Sequence, residues 1–358
     1  MSSDDHVVSL ENLKVHFDPE QSIIDRIKGN EPNTVRAVDD VSIDIPENDV
    51  VALVGESGCG KTTLGKTAIG TQRPTEGTVK FRGQDIWDAK DGVGDPDVPY
   101  DEIRESLQMI HQDPGSSINP NKRVKHSLSR PLEIKHPEMD TFQRRDRILE
   151  MLERVGMEPA EDYANRFPHQ LSGGEKQRVA LIRALLMNPD LILADEAVSA
   201  LDVSLRISVM DLFLELQDEF NTSFLFISHN LSNASYIAGK ADGRIGIMYL
   251  GELVELGPVD EVLENPSHPY TKVLTWATPK LNPDAEGRGE SPLRKIDIPD
   301  PQDPPSGCRF HTRCPEAREV CKGETPQTVT VNGDDTHRAA CFRRQDDHEY
   351  WDSAELTD

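Results

Sequence analysis

The chain has 358 residues, enough for one large α/β domain plus an accessory unit, since single cores rarely grow beyond about 250–300 residues. Acidic side chains outnumber basic ones by 64 to 39 for a formal net charge of -25, which argues against nucleic acid as a partner and suits a hydrated surface in a salty cytoplasm. Nothing approaches the roughly eighteen apolar residues that span a bilayer, and the first ten residues lack a basic n-region and an apolar core, so a cytoplasmic chain is expected.

Apolar alternation and β-branched runs predict strands at Val7 to Phe17, Val35 to Ile45 and Val50 to Val54. The last runs directly into Gly55-Glu56-Ser57-Gly58-Cys59-Gly60-Lys61-Thr62, which fits G-x-x-x-x-G-K-[ST] between a buried strand and a helix. Its glycines let successive backbone N–H groups and the helix N-terminus face phosphates, Lys61 offers a cation to the β and γ groups, and Thr62 offers a hydroxyl to Mg²⁺. Cys59 reads as a small loop residue whose thiol offers alkylation a target, and Thr63 follows on the same turn.

Short apolar runs at Leu107 to Ile110, Leu191 to Ala194, Ser223 to Ile227 and Arg244 to Tyr249 alternate with helical stretches, as in a largely parallel sheet covered by helices. Between Asn119 and Gln170 the sequence turns charged and helix-like, which predicts a helical subdomain inserted in the α/β core. The strand ending in Asp195-Glu196 places two carboxylates at its C-terminal edge, where open α/β sheets bind ligands. Asp195 is the candidate Mg²⁺ partner and Glu196 the candidate that polarises the attacking water; a surface turn is the bland alternative.

Leu171-Ser172-Gly173-Gly174-Glu175-Lys176-Gln177-Arg178 closely resembles the signature sequence of ABC ATPases. A serine hydroxyl and two glycine N–H groups at a helix start form a second anion site, and otherwise Ser172 is an ordinary helix cap. The resemblance spans residues 7 to 277 and extends to Gln112 in Met-Ile-His-Gln-Asp-Pro, Ser199-Ala200-Leu201-Asp202, and His229 in Ile-Ser-His-Asn. It implies that Ser172, Gly173, Gly174 and Glu175 close over the partner's ATP. It also implies that Gln112 contacts Mg²⁺ and water, that His229 holds the γ-phosphate, and that Asp202 aligns the two halves. Phe17 stands where the family stacks a ring on adenine, with a core position as the alternative. Ala197 and Glu175 replace the family's usual proline and glutamine without removing a catalytic group.

After Thr278 the composition becomes that of a linker, and then come Cys308, Cys314, Cys321 and Cys341. In a reducing compartment such crowding argues for metal over disulfides. The stretches Asn265 to Thr271 and Gly307 to Pro315, with Val198 to Ser204, resemble the ATP-binding subunits of oligopeptide and dipeptide importers, in particular the second of a pair. That resemblance implies a [4Fe-4S] cluster at the four cysteines; their C-x5-C-x6-C-x19-C spacing does not derive it, and zinc is the alternative.

The expected fold is therefore α/β, a P-loop ABC cassette with a helical subdomain and a C-terminal cysteine-rich module. The cassette covers residues 1–278 with the subdomain at 119–188, followed by a linker at 279–305, the module at 306–345 and an acidic tail at 346–358. The resemblance implies ATP hydrolysis that powers peptide import. The implied partners are a second ATPase, identical or homologous, two membrane permeases, and indirectly an extracellular solute-binding protein. The chain would sit peripherally on the cytoplasmic face of the plasma membrane. The alternatives are importers of nickel, sugars or other solutes, and ABC ATPases of DNA repair or translation.

Overall fold

The computed structural model describes residues 6–18, 34–278, 292–295 and 297–356, without the side chains of residues 116 and 117. About half of the expected linker, from 279 to 291, lies outside the described residues, as do positions 1–5, 19–33, 296 and the last two residues of the tail.

Twelve strands are described: β1 (His6–Phe17), β2 (Val35–Pro46), β3 (Val50–Val54), β4 (Glu76–Phe81), β5 (Gln84–Asp85), β6 (Leu107–Ile110), β7 (Leu191–Asp195), β8 (Ser223–Ser228), β9 (Arg244–Tyr249), β10 (Glu252–Pro258), β11 (Val329–Val331) and β12 (Asp334–Ala339). They form an eight-stranded sheet in the order β11-β12-β10-β9-β3-β8-β7-β6 and a four-stranded sheet in the order β2-β1-β4-β5. Neighbours from β6 through β9 are parallel, whereas β9 with β10, β10 with β12, and β11 with β12 are antiparallel.

Side chains of a strand alternate between its faces, and here both faces are covered. Val50, Ala52 and Val54 of β3 face one core, shared with the helical subdomain, and Val51 and Leu53 face the other, shared with the antiparallel sheet and the helix Lys61–Ala68. That two-sided burial is why β3, β7 and β8 read as continuous apolar runs.

The segment after β6 holds the helices Val124–Lys135, Thr141–Arg154, Ala160–Asn165 and Gly173–Leu185. β11 and β12 extend the cassette's own sheet, with Glu255 opposite Ala339 and Leu256 opposite Arg338. Phe310, Cys314 and Ala317 join the larger core, while Cys321, Phe342 and Tyr350 form a small cluster of their own.

Candidate functional site

The phosphate loop joins β3 to the helix Lys61–Ala68, whose start has no side-chain cap. Its first N–H groups are therefore left for an anion. Gly60 sits at φ +104°, and a Cβ there would meet the Ala37 carbonyl oxygen at 1.9 Å, so only glycine closes this turn. The Lys61 Nζ donates to the carbonyls of Gly55 at 2.8 Å and Glu56 at 2.9 Å, which holds the buried cation over the loop. Cys59 is buried, and burial, opposed by nearby Lys61, pushes its thiol up. The loop thus presents no exposed nucleophilic thiol to alkylation.

A cavity of about 210 Å³ opens in front of this loop, lined by Ser57, Gly58, Gly60, Lys61, Thr62, Thr63 and Glu196, with Gly251 and Pro301 at its edge. Thr62 Oγ1 donates to Asp195 Oδ1 at 2.9 Å, so two hard oxygen donors from distant parts of the chain meet. Burial holds the Asp195 carboxyl above its ordinary value, against the pull of the Thr62 hydrogen bond.

Glu196 adopts φ +48°, a conformation that side chains larger than glycine rarely take. Its N–H donates to the Ile227 carbonyl at 3.0 Å and its own carbonyl accepts from Ser199 N–H and Oγ, so the turn is held from both sides. Its Oε2 lies 3.2 Å from Gln112 Nε2 and 3.2 Å from His229 Nδ1. The structure therefore brings Lys61, Thr62, Asp195, Glu196, Gln112 and His229 together around one mouth.

Other sequence candidates stand apart. Ser172 caps the helix Gly173–Leu185 by a capping box with Glu175, and neither they nor Gly173 and Gly174 line the cavity. Asp202 caps the helix Val203–Phe220 through Leu205 N–H at 3.0 Å. Phe17, at the end of β1 opposite Val35, is 41% exposed, which excludes the core alternative; Val35 lines the cavity and Phe17 does not.

Cys308, Cys314, Cys321 and Cys341 line one small cavity beside Phe310 and Tyr350. Burial foremost, and then the neighbouring cysteines, pushes Cys314 up to about 12, Cys341 up to about 11 and Cys308 well above its usual value. Among the described residues no group of three or more His, Cys, Asp or Glu is arranged to hold a metal ion. As placed, the four thiols therefore close around neither zinc nor an iron–sulfur cluster without rearrangement.

Sequence reasoning missed what lies behind the loop. Tyr270 is fully buried and its hydroxyl accepts the Glu56 N–H at 3.1 Å, and Arg313 reaches the Glu56 carboxylate from 257 positions away. Separation of that order leaves no local pattern; the only signal was an arginine beside each of the first two C-terminal cysteines.

Comparison with known proteins places this site in a family. Residues 38–199 match the ABC transporter family, and residues 254–321 match the oligopeptide/dipeptide transporter C-terminal region. The oligopeptide transport ATP-binding protein AppF of Bacillus subtilis is 40% identical over 321 residues, covering 90% of this chain and 93% of that one. OppF of Salmonella typhimurium, an oligopeptide transport ATP-binding protein, is 39% identical over 94% of this chain and 96% of its own. The dipeptide transport ATP-binding protein DppF of Escherichia coli is 40% identical over 86% of this chain and 87% of its own. Among solved structures, the cassette MJ0796 in a dimeric post-hydrolysis state with ADP and Pi is 28% identical at a TM-score of 0.57, covering 70% of this chain and 98% of that one. The structure of cbiO1 from Clostridium perfringens shares the fold at 23% identity and a TM-score of 0.58, over 73% of this chain and 92% of its own. The chain belongs to the ATP-binding proteins of the oligopeptide/dipeptide ABC transporter family, and it is an ATPase.

Proposed function

We propose that this chain powers the import of short peptides, as one of two ATPase subunits docked on a pair of membrane permeases. Its close relatives are named for oligopeptide and dipeptide transport, which favours that cargo over nickel, sugars, DNA repair or translation. Among the described residues no helix is long and apolar enough to cross a membrane. Peripheral attachment to the cytoplasmic face, through separate permeases fed by an extracellular solute-binding protein, is consistent with this. The second ATPase is a homologue or a second copy.

The observation that carries the mechanism is the meeting of Gln112, Glu196 and His229 at 3.2 Å contacts in front of the phosphate loop. Lys61 and the N–H groups of Gly58, Gly60 and Thr63 cradle the phosphates of ATP, with Gly55, Glu56, Ser57 and Cys59 shaping the loop and Phe17 stacking on adenine. Thr62 and Asp195, with Gln112 nearby, supply the oxygen and amide donors that suit Mg²⁺, whose positive charge screens the β and γ phosphates. Glu196 orients and deprotonates the attacking water, and His229 holds the γ-phosphate. Ser172, Gly173, Gly174 and Glu175 close over the partner's nucleotide, and Asp202 aligns the halves. Closure is the power stroke, and hydrolysis resets it.

In Glu196→Gln, kcat should fall by about a hundredfold or more while ATP still binds and a closed dimer accumulates. Normal turnover in that variant would remove Glu196 as the base.

We further propose that the four cysteines make the C-terminal part a cysteine-rich module holding a [4Fe-4S] cluster. Four thiolates are the number such a cluster takes, one at each iron, and all four line one cavity. The space between them, about 20 Å³, takes about one water, so loading requires the loops carrying the thiols to give outward. Such a cluster supplies electron-transfer capacity or a structural cross-link. Anaerobic purification should yield about four irons and four sulfides per chain, lost in Cys314→Ser; an iron-free wild type would refute it. The charge of -25 suits a high-salt cytoplasm, which predicts a melting temperature that rises with added KCl as repulsion is screened.

A further inference from the structure

Two buried arginines of the C-terminal segment reach back to the nucleotide site. Arg313, 4% exposed, places Nη1 3.0 Å from both Glu56 carboxylate oxygens and 3.3 Å from the Tyr249 hydroxyl. Its guanidinium lies over the rings of Tyr249 and Phe310. Glu56 is the second residue of the phosphate loop, its N–H is held by Tyr270 Oη, and its carbonyl receives the Lys61 ammonium. Arg309, 5% exposed, pairs with Glu252 at 3.0 Å and also binds Asp39 and the Leu250 carbonyl. The turn it grips is fastened to the loop, because Gly251 N–H donates to the Cys59 carbonyl at 2.9 Å.

A carboxylate inside a loop that must bind a polyanion opposes its own function. Left bare, the Glu56 charge repels the phosphates and leaves the loop free to turn that side chain inward. We propose that Arg313 is a positioning residue for ATP: by neutralising and fixing Glu56 it makes nucleotide affinity depend on the docked C-terminal segment. The sharing of Nη1 between both carboxylate oxygens and the burial of Arg313 favour this over a surface ion pair, whose effect would be small. The inference rests on ATP binding alone, and on neither the cargo nor the four cysteines.

The test measures ATP Kd, KM and kcat for the full-length chain as wild type, Arg313→Gln, Arg313→Lys and the double variant Glu56→Gln/Arg313→Gln. Arg313→Gln should raise Kd and KM by about tenfold or more, since it leaves a partly buried charge unpaired, with kcat at saturating ATP within about twofold. Arg313→Lys keeps the charge but loses the planar guanidinium seated over Tyr249 and Phe310, and should fall between. The double variant removes both charges and should recover to within about threefold of the wild-type Kd. Unchanged affinity in Arg313→Gln, or a double variant as weak as the single, overturns the proposal. If Arg313→Gln does not fold, the double variant decides: a folded chain with near-normal Kd supports the role, and a double variant that also fails to fold marks Arg313 as a structural prop. A fall in kcat with unchanged KM would belong to the hydrolytic group around Glu196, so the two readings fail in different observables.

Discussion

At the scale of single residues, Glu175 shows how one side chain serves a helix end and an electrostatic field together. Burial alone would raise its carboxyl, but hydrogen bonds from Ser172 N–H at 2.6 Å and the Tyr163 hydroxyl at 2.8 Å outweigh that and hold it below its ordinary value of 4.5. The negative charge also sits on the first turn of the helix Gly173–Leu185, where the helix dipole favours it. A carboxylate depressed on folding contributes stability that is complete above its unfolded value and is lost as pH falls through its lower folded value. Glu175→Gln keeps a capping side chain without the titration. Thermal melts between pH 7 and pH 3 should show a wild-type advantage near neutrality that disappears in acid, while a constant gap would mean that the charge contributes nothing.

At the scale of elements, the two glycines of the signature behave differently although they are adjacent. A Cβ on Gly174 would meet Leu205 Cδ2 at 2.6 Å, so the bare side lets the helix Gly173–Leu185 sit close to the helix Val203–Phe220 and a methyl there would force Leu205 to shift. A Cβ on exposed Gly173 comes no closer than 3.5 Å to Leu201. Gly174→Ala should therefore lower stability by about 1–3 kcal/mol through overpacking. Gly173→Ala should leave the melting temperature unchanged or higher, alanine being the better helix former by up to about 1 kcal/mol. On the proposed closure over the partner's nucleotide, hydrolysis should nevertheless fall about tenfold in Gly173→Ala, because the added methyl would stand in the way. Full activity with unchanged melting would remove that face from the dimer site.

Elements were legible where burial leaves a period. β3, β7 and β8 lie between two cores and announce themselves as unbroken apolar runs, and the motifs at their C-terminal ends follow the same register. β4 is a half-buried antiparallel strand and β10 carries Glu252 and Glu255 among its apolar residues, so the mixed lettering of both imitates a loop, while β11 and β12 are short and joined at Asn332-Gly333 within a run that reads as irregular. The convergence of Gln112, Glu196 and His229 was readable only because a family resemblance lends it meaning. The contact between Arg313 and Glu56 obeys no local rule, and only folding places those residues together.

At the scale of the whole molecule, the C-terminal segment is fastened to the cassette by polar groups that have no solvent alternative. Glu255 is 1% exposed and accepts from Ser267 N–H and His268 N–H at 2.8 Å and from Thr271 Oγ1 at 2.6 Å, with His337 Nε2 of β12 at 2.8 Å. Phe310, 1% exposed, packs edge-on against Tyr249 and beside Tyr270, the residue that holds Glu56 N–H. Ending the chain at Thr278 removes His337, Phe310, Arg309 and Arg313 together and strips β10 of its partner on one side, leaving an open sheet edge that invites association with other chains. Loss of the Phe310 contact alone is worth about 3 kcal/mol or more, so the truncated chain should melt at least roughly 10 °C lower and give less soluble protein. Any folded fraction should bind ATP more weakly, because the loop loses its brace along with the core. A truncated chain with unchanged melting and unchanged ATP affinity would make the segment a passenger. The paired fall of both is the outcome that joins the sheet extension to the chemistry at the phosphate loop.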